Sequence, residues 1–305
     1  MYLTINTLKN IRDIQEYLNR LNEKLIIDCK TSFVSIIDEN KNWLTKADIK
    51  SFLKLASYEI ISDQNNKIVA RKIVSKSKEY SVTIIVPARN EEGNISQIIK
   101  SFPKFGKSQE FIFIEGGSTD NTWNEIKKTE VKAFKQRGKG KADAVRLGLS
   151  KASGDILMIY DADRTVDAKE LKKFYDALSS GLGEFINGSR LVYPMEKDAM
   201  RTLNKLGNIL FSYLFTWILG QQFKDTLCGT KAFFRKDYLK FKKFKDDPFG
   251  DFELIFGAIR ENLKVVEIPV HYKERVYGTT NIKRIYHGLL LFKMVWKGLL
   301  EFKLS

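Results

Sequence analysis

The chain has 305 residues, enough for one large α/β domain and a small additional unit. Its 52 Lys and Arg outnumber 37 Asp and Glu, and the net charge of +15 favours polyanions or anionic lipid surfaces. Two distant cysteines, Cys29 and Cys228, exclude a disulfide framework and the usual zinc spacing, and they fit a reducing cytosol. The charged first 30 residues argue against a secretory signal, and no apolar run reaches the roughly 20 residues needed to cross a bilayer.

Residues 1–80 contain neither glycine nor proline, and the change in composition near residue 80 predicts a boundary between an N-terminal appendage (1–80) and a main domain (81–305). The predicted elements of the appendage are a helix over Ile11–Leu21, a strand over Lys24–Asp28, a helix over Thr45–Leu55 and a hairpin around Ser62–Asn66. Thr45 is the predicted N-cap of the second helix.

The segment 42–59 of the appendage resembles the closing helix and hairpin of class I methyltransferases. Those enzymes approach their cofactor with a glycine-rich turn, which a stretch without glycine cannot form. We therefore expect no methyltransferase cofactor site in residues 1–80.

From Val82 onward, strand and helix patterns alternate along the chain, which predicts a mostly parallel sheet with helices on both faces. The predicted strands are Val82–Pro87, Glu110–Glu115, Val131–Gln136, Asp155–Asp161 and Glu184–Ser189, with two more near Lys231–Arg235 and Lys264–Val270. The predicted helices are Asn94–Phe102, Asn121–Lys128, Lys141–Ser150 and Ala168–Ser179.

Two acids, Asp161 and Asp163, follow the apolar run that ends at Tyr160. Residues i and i+2 of an extended backbone face the same way, so both carboxylates point beyond the carboxyl end of a buried strand. Open α/β sheets bind their ligands at that edge. Two adjacent carboxylates repel each other unless a cation lies between them, and hard oxygen ligands suit Mg²⁺ or Mn²⁺. A solvated loop after a strand is the alternative interpretation.

Two further strand ends carry polar groups. Asn90 and Glu91 follow the first strand of the main domain, and Glu115 precedes two glycines at the end of the next. Glycines let a ligand approach the backbone closely, and a carboxylate accepts hydrogen bonds from ribose hydroxyls or a base. Three such strand ends in succession favour a binding site over three ordinary turns.

The motifs from Val82 to the C-terminus resemble the family-2 glycosyltransferases of GT-A fold, and among these the dolichyl-phosphate and polyprenyl-phosphate sugar transferases. The motifs are V-P-A-R-N-E-E (86–92), E-G-G-S-T-D-N-T (115–122), G-K-G-K-A-D-A (138–144), D-A-D (161–163), G-S-R (188–190), D-T-L-C-G-T-K-A-F (225–233), G-D-F-E-L (250–254) and R-V-Y-G-T-T-N (275–281). The resemblance implies transfer of a sugar from a nucleotide-sugar donor.

The resemblance also implies roles for individual residues. The nucleotide pocket would be lined by Pro87, Arg89, Glu91 and Glu115. Lys139 and Lys141 would lie near the nucleotide or its phosphates, with a solvated basic turn as the alternative, and Asp161 and Asp163 would carry the metal that bridges the diphosphate. Arg275 and Lys283 are further substrate-binding candidates.

The chain departs from the family where Thr165 replaces a common Gln and where Thr280-Asn281 replaces Ser-Lys. Gly116 stands where many members have a second acid, so the nucleotide base stays open.

On the acceptor side, the resemblance assigns Arg190 and Arg201 to an acceptor phosphate, and a surface salt bridge is the alternative for Arg201. A hydroxyl acceptor requires a general base, whereas a phosphate acceptor is already ionised and needs none. Asp251 and Glu253 are the acids available as a base, and capping of a helix N-terminus is the alternative role for them.

Two apolar helices, Leu203–Leu219 and His287–Leu304, are too short or too polar to span a bilayer but suit its interface. We therefore expect a peripheral enzyme at the cytoplasmic membrane face, acting on a polyprenyl-phosphate or lipid-linked acceptor. A soluble transferase acting on a glycan or protein hydroxyl is the alternative. Nucleic-acid binding is disfavoured, because no nucleic-acid motif accompanies the basic charge and the acidic edge would repel phosphates. The sequence leaves the oligomeric state open.

Overall fold

The computed structural model describes residues 1–304 except residue 22 and residues 30–43, 73–77, 195–201, 243–246, 276 and 278–283. Only the backbone is described for residues 202–206 and 284–286. The described chain forms a four-stranded sheet near the N-terminus and a seven-stranded sheet in the remainder.

Residues 1–72, here called the N-terminal unit, fold around the smaller sheet. Its strands are β1 (Tyr2–Thr4), β2 (Leu25–Asp28), β3 (Tyr58–Gln64) and β4 (Lys67–Lys72), and its helices are α1 (Ile5–Lys9), α2 (Ile14–Arg20) and α3 (Lys46–Leu55). The strand order is β1-β2-β4-β3, in which β1 and β2 are parallel and the other pairs are antiparallel. The sheet buries Leu25, Ile27 and Ile68 against Phe52 and Leu53 of α3.

Local signals set the ends of these elements. Thr45 caps α3 in a reciprocal capping box with Asp48, as the sequence predicts. Asn65 and Asn66 both have positive φ and close the hairpin between β3 and β4, where asparagine tolerates this backbone conformation. The first predicted helix is shorter than expected, because Asp13 caps α2 and so starts it at Ile14.

The main sheet has the mixed topology of an α/β fold. Its strands are β5 (Ser81–Ala88), β6 (Ser108–Glu115), β7 (Lys132–Lys135), β8 (Ile156–Ile159), β9 (Phe185–Ser189), β10 (Lys231–Phe234) and β11 (Val265–Pro269). They are ordered β11-β9-β10-β8-β5-β6-β7. Only β10 among these described strands runs antiparallel to its neighbours, so the mostly parallel sheet predicted from the sequence is confirmed.

Helices cover both faces of this sheet. They are α4 (Glu92–Ser101), α5 (Thr122–Lys127), α6 (Lys141–Lys151), α7 (Leu171–Ser179), α8 (Thr202–Leu219), α9 (Arg235–Tyr238), α10 (Phe252–Arg260) and α11 (Arg284–Phe302). The predicted helix Ala168–Ser179 begins with a 3₁₀ turn at Ala168–Glu170 before α7.

The alternation of side chains along β5 shows how two cores form on one sheet. Val82, Ile84 and Val86 face one core with α4, α5 and α7. Ile85 faces the other, with α6, α8, α10 and α11. Burial on both faces explains why residues 82–86 are apolar except for the buried Thr83.

Helices α8 and α11 pack against each other, with the rings of Phe211 and Phe292 5.0 Å apart, and each leaves an apolar stripe exposed. The exposed members are Leu210, Tyr213 and Trp217 on α8 and Leu289, Phe292, Trp296 and Leu300 on α11, here called the apolar stripes. Among the described residues, no helix has the length and hydropathy required to cross a membrane.

Candidate active site at the carboxyl edge of the main sheet

The carboxyl ends of β5, β6 and β8 meet at one edge because these strands are parallel neighbours. In the register of β5 and β6, Ala88 lies opposite Glu115. Tyr160, just after β8, donates its backbone N–H to the carbonyl of Ile85 at 3.0 Å, so Asp161 emerges beside the end of β5. The geometry therefore brings the three polar strand ends together.

Asp161 is paired with the lysine that opens α6. Lys141 Nζ lies 2.7 Å and 2.9 Å from the two carboxylate oxygens of Asp161. Burial alone would raise the pKa of Asp161, but the Lys141 ammonium holds it below its ordinary value. Burial alone would likewise lower the pKa of Lys141, but the charges of Asp161 and Asp251 raise it. Both groups are therefore ionised at neutral pH.

Gly229 lies directly against this ion pair. A Cβ atom at this position would be 2.1 Å from Asp161 Oδ2 and 2.3 Å from Lys141 Nζ. Only a residue without a side chain therefore fits here without displacing the pair.

Asp163 is held by a second cation from the C-terminal part of the chain. Arg275 donates from Nη2 to Asp163 Oδ2 at 2.7 Å and from Nη1 to Glu91 Oε1 at 2.9 Å. The other oxygen of Asp163 accepts hydrogen bonds from the Thr165 backbone at 3.1 Å and hydroxyl at 2.9 Å. Arg275 thus joins the acid after β5 to the acid after β8.

Glu91 is buried at the start of α4. Asn94 donates to the Glu91 carboxylate at 2.7 Å, and the backbone N–H of Glu91 donates to the Thr122 hydroxyl at 2.8 Å. Burial raises the pKa of Glu91 to about 7, an effect that the hydrogen bond from Asn94 and the charge of Arg275 only partly oppose. Glu91 can therefore change its protonation near neutral pH.

The loop after β6 is fixed to the loop after β5. Glu115 is buried and accepts a hydrogen bond from the Ser118 backbone, while Thr119 donates its backbone N–H to Asn90 Oδ1 at 2.8 Å. Of the remaining nucleotide candidates, Pro87 is half-buried within β5, and Arg89 and Lys139 are exposed.

The role of Asp251 as a helix cap is wrong. It occupies the N-cap position of α10, yet its side chain makes no capping hydrogen bond. Its carboxylate instead lies 2.6 Å from Nζ of Lys231, a lysine with no exposed side-chain surface, and a buried ammonium needs such a partner. Glu253 is also buried, 2.6 Å from Arg146, so both candidate bases are ion-paired.

Arg190, the predicted acceptor arginine, forms a two-point ion pair with Asp225. Its Nε and Nη2 donate to the two carboxylate oxygens at 2.6 Å and 2.8 Å. Asp225 is fully buried and also accepts from Asn208 of α8 at 2.9 Å. The guanidinium lies over the ring of Tyr272, 5.1 Å from its centroid.

Three residues of this site were missed from the sequence: Asp225, Gly229 and Lys231. All three fall within D-T-L-C-G-T-K-A-F, so the motif was the available signal, but their partners lie elsewhere in the chain. Two predicted site residues, Arg201 and Lys283, lie outside the described residues.

With this geometry established, comparison with known proteins gives the family. The model of the family "Glycosyl transferase family 2" matches residues 83–241, which include both acids after β8 and the motif at 225–233. The chain belongs to glycosyltransferase family 2. It is therefore a glycosyltransferase, as its motifs predict.

Curated relatives include enzymes named for lipid-phosphate acceptors. Glycosyltransferase AglJ of Haloferax volcanii is 30% identical over 220 residues, which cover 71% of each chain. Dolichyl-phosphate hexose transferase of the same organism is 24% identical, covering 73% of this chain and 96% of the relative. Dolichyl-phosphate beta-glucosyltransferase of Saccharomyces cerevisiae is 27% identical, covering 65% and 68%.

Solved structures establish the GT-A fold. Glucosyl-3-phosphoglycerate synthase from Mycobacterium tuberculosis, crystallised with Mn²⁺, uridine diphosphate and glucosyl-3-phosphoglycerate, superposes with a TM-score of 0.55 at 18% identity. The match covers 73% of this chain and 80% of that chain. At this identity the similarity concerns the fold alone.

The residues present fit a divalent cation. Asp161 and Asp163 offer hard carboxylate oxygens at the ligand-binding edge, and their side chains remain 32% and 16% exposed. Each already has a cationic partner, Lys141 for the first and Arg275 for the second, so the two acids balance positive charge here.

Proposed function

We propose that this enzyme transfers a sugar from a nucleotide-sugar donor to a polyprenyl phosphate, with Mg²⁺ or Mn²⁺ held by Asp161 and Asp163. The observation that carries the lipid acceptor is the position of the apolar stripes. Asn208 donates to Asp225, the aspartate that holds Arg190. It lies two residues before Leu210, the first exposed residue of the α8 stripe. The acceptor arginine and the exposed apolar surface are therefore linked through one helix.

The donor side would bind the nucleotide at the joined loops after β5 and β6. Glu91 and Glu115 offer carboxylates to the nucleoside, and Gly116 lies so close to Arg89 that an added Cβ would be 3.2 Å from the Arg89 Cβ. When bound, the metal supplies positive charge to the diphosphate. Lys141 and Arg275 are the cations beside the two acids and would add to that charge as the nucleoside diphosphate leaves.

In the transfer, an oxygen of the acceptor phosphate forms a bond to the anomeric carbon, and the bond from that carbon to the diphosphate breaks. The acceptor phosphate is already ionised, so no general base is required. The ion pairs of Asp251 with Lys231 and of Glu253 with Arg146 are compatible with such a reaction, since neither carboxylate is needed to remove a proton.

We propose that the enzyme docks at the cytoplasmic face of a membrane, and the apolar stripes support contact with a membrane surface. The exposed aromatic and aliphatic side chains lie on two packed helices, and contact of such apolar surface with water is energetically unfavourable. Lys293 is exposed on α11, and Lys303 is exposed just after its end. Lys303 lies over the ring of Trp217, 5.7 Å from its centroid. Such lysines can contact anionic headgroups while aromatic rings enter the interface.

The experiment is an acceptor assay with labelled nucleotide sugars and Mn²⁺. Three acceptors are compared: a polyprenyl phosphate, the same prenol without phosphate, and a soluble glycan. We expect label in the organic phase with the polyprenyl phosphate alone. Label on the glycan would refute the lipid acceptor and favour the soluble transferase, and transfer to the prenol would refute the phosphate requirement.

A further inference from the structure

The N-terminal unit contacts three segments of the main domain that carry the acceptor side of the site. Tyr193 follows Arg190 by three residues, Lys224 precedes Asp225, and His271 precedes Tyr272. Each of these neighbours is held by residues of the N-terminal unit. An anchor point therefore lies within three residues of each of Arg190, Asp225 and Tyr272.

The anchor at Lys224 is a buried ion pair. Its Nζ lies 2.5 Å from Oδ2 of Asp48 in α3, and the two side chains are only 5% and 7% exposed. Asp48 Oδ2 is itself fixed, since it accepts the backbone N–H and hydroxyl of Thr45, both at 2.6 Å. On the other side, the backbone N–H groups of Lys224 and Asp225 donate to the carboxylate of Glu267. The carboxylate that holds Arg190 therefore lies next to a residue fixed from two directions.

The anchor at Tyr193 is a ring inserted into the core of the N-terminal unit. Val192 and Tyr193 are 0% and 3% exposed and belong to the same apolar cluster as Phe52 of α3. The Tyr193 ring stacks on His271, with centroids 3.9 Å apart and planes 8° apart. Two of the three segments are therefore packed against each other where they meet the N-terminal unit.

The anchor at His271 uses both ring nitrogens. Nδ1 lies 2.8 Å from the carboxylate of Glu170, and Nε2 lies 2.7 Å from the backbone carbonyl of Arg12. Both partners are acceptors, so both nitrogens must carry a proton when both hydrogen bonds form. Lys173 lies 2.9 Å from Glu170 and 3.7 Å from Asp13, which places a second cation between the unit and the main domain.

We propose that the N-terminal unit positions the acceptor arginine, with Asp48 as a positioning residue that acts through Lys224 and Asp225 on Arg190. This rests on the acceptor role given to Arg190 in the proposed function. The two-point pairing of Arg190 with Asp225 fixes the plane of the guanidinium, so a displacement of Asp225 changes where that group can meet a phosphate. The N-terminal unit thereby has a role in acceptor recognition.

The test compares Asp48→Asn with the control Asp63→Asn in the full-length enzyme. Both changes remove one carboxylate charge from the N-terminal unit, but Asp63 pairs with Lys46 and Lys50 inside that unit. We expect Asp48→Asn to lower kcat/KM for the acceptor by up to about a hundredfold, through a higher acceptor KM, and to leave the donor KM unchanged. Asp63→Asn should keep both KM values.

A double variant separates positioning from stability. Asp48→Asn removes the negative charge that faces the buried Lys224 ammonium and should lower Tm, whereas Asp48→Asn with Lys224→Met removes both charges and should restore Tm. We expect the acceptor KM of the double variant to stay raised. Recovery of acceptor KM together with Tm, or an equal rise in donor KM, would overturn the proposal.

The same variants distinguish failure of the proposed function. If the wild-type enzyme transfers sugar to a soluble glycan and not to polyprenyl phosphate, the lipid acceptor is wrong. The KM for that glycan then replaces the lipid KM in the comparison. A raised glycan KM in Asp48→Asn and in the double variant would still support positioning, and an unchanged value would refute it.

Discussion

Gly229→Ala tests whether the site depends on the contact between Lys141 and Asp161. The added methyl group would lie 2.1 Å from Asp161 Oδ2 and 2.3 Å from Lys141 Nζ. Non-bonded carbon atoms are at optimal separation at about 3.5–4.0 Å, so relief of both contacts requires displacements of roughly 1 Å. The φ of Gly229 lies outside the left-handed region, so alanine can adopt this backbone conformation.

The expected loss follows from that displacement. A misplacement of about 1 Å in catalytic geometry lowers the rate by roughly a hundredfold, which corresponds to about 2.7 kcal/mol in the activation free energy. The atoms that the methyl group meets are the ends of two side chains, and one of them is the flexible end of a lysine. We therefore expect a Tm within a few degrees of the wild type.

The assay measures sugar transfer from a labelled nucleotide sugar, and thermal unfolding is followed by circular dichroism. Gly288→Ala is the matched control, since a Cβ at Gly288 in α11 would meet none of the described atoms within 4 Å. Alanine should stabilise that helix by about 1 kcal/mol relative to glycine. Wild-type kcat/KM in Gly229→Ala would refute the need for this ion pair in its observed place.

Three further predictions concern the metal, the membrane and the N-terminal interface. Asp163→Asn keeps the shape of the side chain but removes a charge, so turnover should fall about 10²–10³-fold with little change in Tm, and EDTA should inactivate the wild type. Replacing Phe292 and Trp296 with serine should reduce liposome flotation without abolishing turnover of a short soluble acceptor, since each large apolar side chain contributes about 1.5–3 kcal/mol when fully buried. Burial alone would lower the pKa of His271, but the hydrogen bond to Glu170 raises it. Its contribution to stability is therefore complete below the ordinary imidazole pKa of about 6.5 and is lost as pH rises through the raised value. His271→Gln should cost about 1.5 kcal/mol at pH of about 6 and less at pH of about 9, measured by urea unfolding.

Each of these results has a contrary outcome. Full activity in EDTA would rule out the metal, and flotation of the serine variant at the wild-type level would rule out docking through the apolar stripe of α11. The groups that face His271 are Glu170, Lys173, Asp13 and the Tyr193 ring. A stability difference that does not change with pH would show that the imidazole is not doubly protonated.

Much of the fold followed from local patterns. The run 82–86 is buried on both faces of the sheet, and the predicted strand ends differ from the observed ones by at most two residues. Thr45 was predicted as an N-cap from its position alone, because capping involves residues three apart. The antiparallel direction of β10 was not predicted, since strand direction depends on which neighbours the strand joins.

The site divides in the same way. The proximity of Asp161, Glu91 and Glu115 could be predicted from the sequence, because parallel strands place their carboxyl ends at one edge of the sheet. Asp251 was placed correctly at a helix start, but its role followed from Lys231, a buried ammonium 20 residues away. The apolar stripes could not be told from buried faces, because α8 and α11 are apolar on more than one side.

The sequence by itself determined the element types, the acidic edge and the family, because these depend on hydrophobic periodicity, on the polar residues that follow each strand and on short motifs. The tertiary structure decided which cation meets which acid. Arg275 reaches Asp163 across 112 residues, and Lys224 reaches Asp48 across 176. Such pairs form only where folding buries distant segments against each other, and a buried charge must then find its partner among the residues that the fold brings near.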